Sequence, residues 1–339
     1  MRLIKTEDAV GHVLCHDMTQ IIKDQYKDAR FRKGHVVTEE DIPVLLSMGK
    51  EHLYVWEMTP GMVHENDAAE RLLALCGQEN MIRSGVKEGK IELKAACDGV
   101  FLVDSARLVA VNSQDEVMIA TRKGGMAVRE GDKLAGMRVI PLIIEEEKLR
   151  KAEQAAGDKP LLSLKPYVRK TACIVATGGE VKKGLIKDTF TPVVIDKLKT
   201  YGIETLEVVY SGDGVENVRD AVLAMREKKP DMILCTGGMS VDPDDNTPGG
   251  IKAAGANIIA YGAPVLPGAM FLLGYFDDGM PVMGLPGCVM YAGATVFDLV
   301  LPKIAADVPV TRADLAALGE GGLSLGCKPC HYPICPFGK

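Results

Sequence analysis

No stretch of this sequence stays apolar for more than a few residues, so none approaches the about 20 needed to cross a bilayer as a helix. The opening residues, MRLIKTEDAVGHVL, place acidic side chains where a secretory signal needs an apolar core, so secretion is not expected. There is no run of five Lys or Arg, and the formal net charge is −6. Backbone phosphates reward basic surfaces, so a nucleic-acid partner is disfavoured. Tryptophan is nearly absent, and the single Trp56 reads as a packing residue. What is present suits a globular protein: 339 residues, 47% hydrophobic and 25% charged, enough for two domains that each bury a core. Nine cysteines form an odd set, and several sit inside apolar runs, such as Cys173 in TACIVA and Cys235 in DMILCTGG. That usage points to reduced thiols in the cytoplasm rather than to a disulfide framework.

The segment from Ile143 to Pro160 is charged, rich in helix formers and poor in large apolar residues, so it reads as a helical linker that breaks at Gly157 and Pro160. After it comes a regular alternation. TACIVAT (171–177) reads as a buried strand, and ETLEVVYS (204–211) and PDMILCTGG (230–238) as a second and a third strand. TPVVIDKLKTYG (191–202) and NVRDAVLAMREKK (217–229) carry apolar residues at helical spacing. Pro248 opens a further helix, ANIIAYG and MPVMGLPG can add strands, and residues 288–307 read as one long apolar helix. Strand–helix repetition at these lengths predicts a mainly parallel sheet with helices on both faces, a three-layer α/β/α domain. Ligands of such sheets bind beyond the C-terminal strand ends, where Gly178-Gly179 and Gly237-Gly238 fall. The first half lacks this rhythm: short strands, frequent turns and a helix near 64–78 predict a β-rich, mixed α+β region.

The strongest chemical signal is TGGMSVDPDDNTP, Thr236 to Pro248. A strand delivers two glycines into a polar loop holding Ser240, Asp242, Asp244, Asp245 and Thr247. Glycines admit a ligand close to the backbone and leave amide donors free for an anion. Carboxylates repel phosphate unless a divalent cation lies between, and Mg²⁺ takes one or two carboxylates together with phosphate oxygens. The pattern therefore suits a phosphate ester or pyrophosphate with Mg²⁺ near Asp242 and Asp245. A solvated acidic turn is the alternative. Asp188 and Asp213 each precede a predicted helix, so helix capping is an alternative to a ligand role for both. Five histidines, at 12, 16, 35, 52 and 64, show no metal spacing and read as surface or core.

These residues resemble a known family. The Thr236 loop resembles the TGG-x-S-V signature of the molybdopterin molybdotransferase MoeA, and its Asp-Asn-Thr-Pro ending looks like that of the molybdopterin adenylyltransferase MogA. Ala176-Thr-Gly-Gly-Glu-Val, leading to Asp188, is similar to the domain's opening motif, and Gly284-Leu-Pro-Gly287 to a turn near its end. The resemblance spans residues 170–305. It implies a MogA-like molybdopterin-binding domain at 169–310, preceded by a MoeA-like region at 1–145 and a linker at 146–168, and followed by a tail at 311–339. It also implies catalytic roles for Asp245 and Asp188. Pterin or phosphate contacts would come from Thr177, Gly178, Gly179, Asp213, Thr236, Gly237, Gly238, Ser240, Thr247, Pro286 and Gly287. The implied activity is molybdenum cofactor biosynthesis: insertion of molybdate into adenylylated molybdopterin with Mg²⁺, by a homo-oligomer, dimer or trimer. Two positions depart from the MoeA pattern: Ala269 stands where a lysine is usual, and Cys288 where an asparagine is usual. A molybdopterin carrier or sensor without turnover and an adenylyltransferase are the rival readings. A phosphohydrolase of the related nucleotide-recycling family ranks third.

The tail CKPCHYPICPFGK is a separate signal. Cys327, Cys330 and Cys335, with His331, offer soft ligands suited to Zn²⁺ or, through the thiolates, to an iron–sulfur centre. A reduced tail without metal is the alternative.

Overall fold

The computed structural model describes residues 2–22, 26–55, 60–242 and 245–339; Trp56 and Asp244 lie outside them. The chain forms two compact units. The first comprises 1–96, 103–124 and 131–163, and the second 97–102, 125–130 and 164–339.

The first unit is β-rich, as expected. Met81–Arg83, Ile91–Ala95, Lys133–Val139 and Val117–Thr121 form an antiparallel sheet in that spatial order. Helix Glu65–Cys76 falls where the sequence places one. Helix Glu146–Ala156, read from sequence as a linker, packs on helices Ser105–Asn112 and Glu65–Cys76. It buries Leu149, Ala152 and Ala156. Arg71 donates to both Glu153 oxygens (2.7 and 2.9 Å) and to Glu146 (2.7 Å). Alanine allows close helix contact without large side chains, so a segment poor in Leu and Ile still joins a core.

The second unit carries a six-stranded sheet built from β1 (Thr171–Thr177), β2 (Glu204–Ser211), β3 (Met232–Thr236), β4 (Asn257–Tyr261), β5 (Leu272–Tyr275) and β6 (Pro281–Leu285). Their spatial order is β2-β1-β3-β6-β5-β4. The first four run parallel, and β5 and β4 continue antiparallel. Helices α1 (Phe190–Lys199), α2 (Val215–Arg226), α3 (Thr247–Ala253) and α4 (Val296–Ala305) complete the alternation. Two apolar clusters flank the sheet. Ile174, Leu234 and Leu285 point into one with α1 and α4, while Val175, Ile233 and Val282 point into the other with α2 and α3. Strands covered on both faces read as continuous apolar runs, which is the pattern of β1 and β3.

The long helix expected over 288–307 is two pieces: a 3₁₀ turn at Gly287–Met290, then α4. Thr295 and Asp298 form a capping box at the start of α4, and Lys197 pairs with Asp298 at 2.5 Å. That box satisfies the helix's first amides and starts a new helix inside an apolar run. β5 lies within AMFLLGYF, between the turns at Pro267-Gly268 and Asp277-Asp278-Gly279, outside the runs read as strands from sequence.

Candidate functional site

The parallel strands end side by side. Thr177 is registered with Ser211, Ala176 with Thr236, and Thr236 with Leu285. The turns that follow β1, β2, β3 and β6 therefore line one edge of the sheet, the position at which doubly wound sheets bind ligands. Threonine hydroxyls fasten the two central turns. Thr177 Oγ1 donates to the Thr236 carbonyl (3.0 Å) and lies 3.1 Å from Thr247 Oγ1. Thr247 Oγ1 in turn donates to the Gly237 carbonyl (2.8 Å), and its amide donates to the Gly238 carbonyl (3.1 Å). All three threonines are buried. Gly237 and Gly238 have φ of +83° and +56°. A Cβ on Gly237 would overlap the Thr177 carbonyl, and one on Gly238 would lie 2.7 Å from Thr247 Oγ1. Only glycine satisfies both the backbone angle and the contact.

The carboxylates at this edge hold the turns. Asp245 Oδ2 accepts from the Ser240 amide (3.0 Å), and the Asp245 amide donates to the Asp242 carbonyl (2.9 Å). Asp213 Oδ2 accepts from the Gly179 amide (3.0 Å), across from its own strand. The Gly178 amide donates to the Ser211 carbonyl (3.2 Å). The sequence reading left loop amides open to an anion; those of Gly178, Gly179 and Ser240 are instead engaged by acceptors of the chain. Asp213 does not cap α2, whose N-cap is Gly214.

Asp188 behaves differently. Its Oδ1 accepts from the amides of Phe190 (2.9 Å) and Thr191 (3.0 Å) at the start of α1, and its Oδ2 accepts from the Tyr210 hydroxyl (3.2 Å). Burial pushes its pKa up, but the hydrogen bonds from Thr191, Phe190 and Tyr210 outweigh burial and hold it below the usual carboxylate range. The Tyr210 hydroxyl is raised in turn, by burial and by the Asp188 charge.

Pro286 is buried and Gly287 exposed at the end of β6. Cys288 is half-buried, and burial raises its thiol pKa. Ala269 is exposed, beyond the bend at Gly268. One contributor escaped the sequence reading: the Tyr261 hydroxyl, from β4, donates to the Met239 carbonyl (2.8 Å) and steadies the Gly238–Ser240 turn. A lone tyrosine in ANIIAYG carries no spacing signal, because strand order alone brings it there.

The tail cysteines are not gathered. Among the described residues, no three His, Cys, Asp or Glu side chains stand together so as to hold a metal ion. Cys335 packs against the core, whereas Cys327 and Cys330 are exposed. No described helix is long and apolar enough to cross a membrane.

The fold and edge define an α/β protein, and residues 173–306 match the family model described as a probable molybdopterin binding domain. Residues 3–57 match a domain of unknown function (DUF8806). A CinA-like protein of Mycobacterium tuberculosis is 33% identical over 76 residues, 22% of this chain and 18% of the relative. One from Petrotoga mobilis is 32% identical over 76 residues, 22% of this chain and 19% of the relative. The match thus spans less than a fifth of these relatives' length. Among solved structures, MogA is 22% identical, covering 41% of this chain and all of its own, with a TM-score of 0.36. CinA from Thermoplasma acidophilum is 18% identical, covering 40% and 98%, with a TM-score of 0.34. A molybdenum cofactor biosynthesis protein from Pyrococcus furiosus is 13% identical, covering 93% and 64%, with a TM-score of 0.27.

Proposed function

We propose that the chain binds molybdopterin, or its adenylylated form, at the edge formed by the Thr177 and Thr236 turns, and serves molybdenum cofactor assembly by inserting molybdate into the adenylylated pterin. One observation carries the reading: two glycine turns from neighbouring parallel strands are locked through Thr177 and Thr247, with Asp213 and Asp245 at their mouths. Such a rigid, glycine-lined edge suits a phosphorylated ring compound, because the backbone can approach the phosphate closely.

The donor set fits Mg²⁺. Asp245 engages one oxygen with Ser240, and Asp242 is exposed beside it on the same turn. Hard carboxylate oxygens, one or two in number, match an ion that keeps waters and takes its remaining ligands from phosphate. Bound there, Mg²⁺ would neutralise phosphate charge beside the two carboxylates. Asp245 and Asp242 would hold it, Thr247 would keep the turn in place, and Thr236, Gly237, Gly238 and Ser240 would line the phosphate. Thr177, Gly178 and Gly179 would meet the other side. Asp188, both of whose oxygens are engaged, would fix the start of α1 rather than touch the pterin.

The test is AMP release from adenylylated molybdopterin on addition of molybdate and Mg²⁺. Release that disappears in Asp245→Ala supports insertion. Tight pterin binding with no release supports the second reading, a carrier without turnover, which Ala269 and Cys288 favour because neither supplies the cation or amide that the MoeA pattern has there. Absence of pterin binding ends both readings.

A further inference from the structure

The last turn of the chain carries a feature that the crevice does not use. Cys327, Cys330, His331 and Cys335 line one cavity of about 430 Å³, together with Tyr291, Gly293 and Phe337. The segment is pinned at both ends. Upstream, the Leu266 amide donates to the Gly322 carbonyl and the Ser324 amide to the Leu266 carbonyl, both at 2.8 Å. Downstream, Phe337 is 4% exposed in the core, and the Tyr332 hydroxyl donates to the Asp298 carbonyl (2.9 Å). The Gly338 amide then donates to the Gly321 carbonyl (2.9 Å), closing residues 321–338 into a loop. The entropy of closing that loop is met by the fold itself, so bringing its thiols together requires local rotation rather than ordering of a free tail.

We propose that this loop is a metal-binding site in which Cys327, Cys330 and Cys335 hold a thiophilic metal centre, with His331 or an outside ligand completing the set. Three thiols and an imidazole along the lining of one cavity are soft and borderline donors that favour zinc-class ions or iron–sulfur chemistry over Mg²⁺. An odd number of thiols leaves one over in any disulfide pairing, whereas a metal uses all three. Binding of a single ion replaces S–H by S–metal bonds and releases up to three protons to solvent with no electron transfer, whereas a cluster takes up inorganic sulfide together with its iron. The sulfurs are not yet within binding distance of one point. The closing movement falls on the exposed Cys327 and Cys330 towards the half-buried Cys335. Cys330 rests against Gly293, where a Cβ would lie 2.7 Å from its Cβ and 2.9 Å from its Sγ. Gly293 therefore sets how deeply Cys330 can enter.

The experiment uses the full chain, reduced with a phosphine under anaerobic conditions and titrated with Co²⁺, then competed with Zn²⁺. One equivalent should bind, with sulfur-to-cobalt charge-transfer absorption, protection of three thiols from alkylation, and a higher melting temperature. Cys327→Ser and Cys330→Ser, both at exposed positions, should keep the apo melting temperature and lose affinity by more than about 100-fold, since outer-shell changes alone cost 10–100-fold. Gly293→Ala should weaken binding without removing a ligand. Metal analysis of the purified chain identifies the form: zinc alone for a single ion, iron with acid-labile sulfide for a cluster. Lack of saturable binding overturns the site, as does binding unchanged in the double Cys327→Ser/Cys330→Ser chain or abolished instead by Asp245→Asn.

Discussion

Asp245 and Asp213 each accept a hydrogen bond from a backbone amide that would otherwise meet an anion. A ligand phosphate at this edge must displace the carboxylates or approach with a cation between. The two routes separate at one residue. Asp245→Asn retains an acceptor for the Ser240 amide but removes the charge, so pterin-phosphate binding should lose its dependence on Mg²⁺ while the fold is unchanged. Calorimetric titration with and without Mg²⁺ checks this, and an unchanged metal dependence would remove Asp245 from the ion. Asp188 contributes to stability instead. Replacing it with alanine removes acceptors for two helix amides and should cost about 1 kcal/mol. Because its folded pKa lies below the unfolded value, its contribution is complete above the ordinary carboxylate pKa and is lost as pH falls through the depressed folded value. Denaturant melts of wild type and Asp188→Asn should therefore differ at neutral pH and converge in acid; a constant gap would show that the charge plays no part.

Whole elements depend on short polar contacts in the same way. α3 begins at Thr247, whose hydroxyl ties β1 to the loop after β3. Thr247→Val keeps the shape but strands the Gly237 carbonyl, which should cost roughly 1–3 kcal/mol and weaken pterin binding together with stability. Gly238→Ala should do the same by another route, since its φ of +56° and the 2.7 Å approach to Thr247 Oγ1 both exclude a methyl. Chemical denaturation of the two variants tests the lock, and wild-type stability in Thr247→Val would show that the hydroxyl is dispensable. Legibility from sequence also divides at this scale. β1 and β2 match their sequence spans: an apolar run stopped by Gly178-Gly179 marks the first, and the second lies between the helix stop at Gly202 and the turn at Gly212. The Thr236 loop was legible because its glycines and carboxylates are contiguous. Tyr261, β5 and the break before α4 were not: strand order places the first, the second is a short apolar run whose pattern alone does not separate strand from buried helix, and a capping box inside an apolar run sets the third. Helix Glu146–Ala156 was legible as a helix, but its alanine-based packing was invisible to a search for large apolar side chains.

Across the whole molecule, the chain enters the second unit three times. Its two central clusters draw only on residues from 172 onward for their buried members, so a fragment spanning 164–339 holds the sheet, the helices and the crevice. That fragment lacks 97–102 and 125–130, however, and with them the antiparallel pairing of Gly99–Phe101 with Met126–Val128. It also lacks the carbonyl of Gly99, which accepts from the Tyr167 hydroxyl at 2.9 Å. Tyr167 packs against the larger cluster and stacks edge-on with Tyr201 at 5.2 Å, so its hydroxyl is left without that acceptor in largely apolar surroundings. The loss from that hydroxyl alone is roughly 1–3 kcal/mol. The fragment should fold and retain pterin binding, but melt below the corresponding transition of the full chain. Tyr167→Phe should recover part of that difference in the fragment, because it removes the group that has lost its partner, and should destabilise the full chain. A Tyr167→Phe change of the same sign in both would remove the Gly99 contact from the account, and equal melting temperatures for fragment and full chain would mean that the two inserted segments contribute nothing to the second unit. The division between Ser163 and Leu164 would then be a true domain boundary.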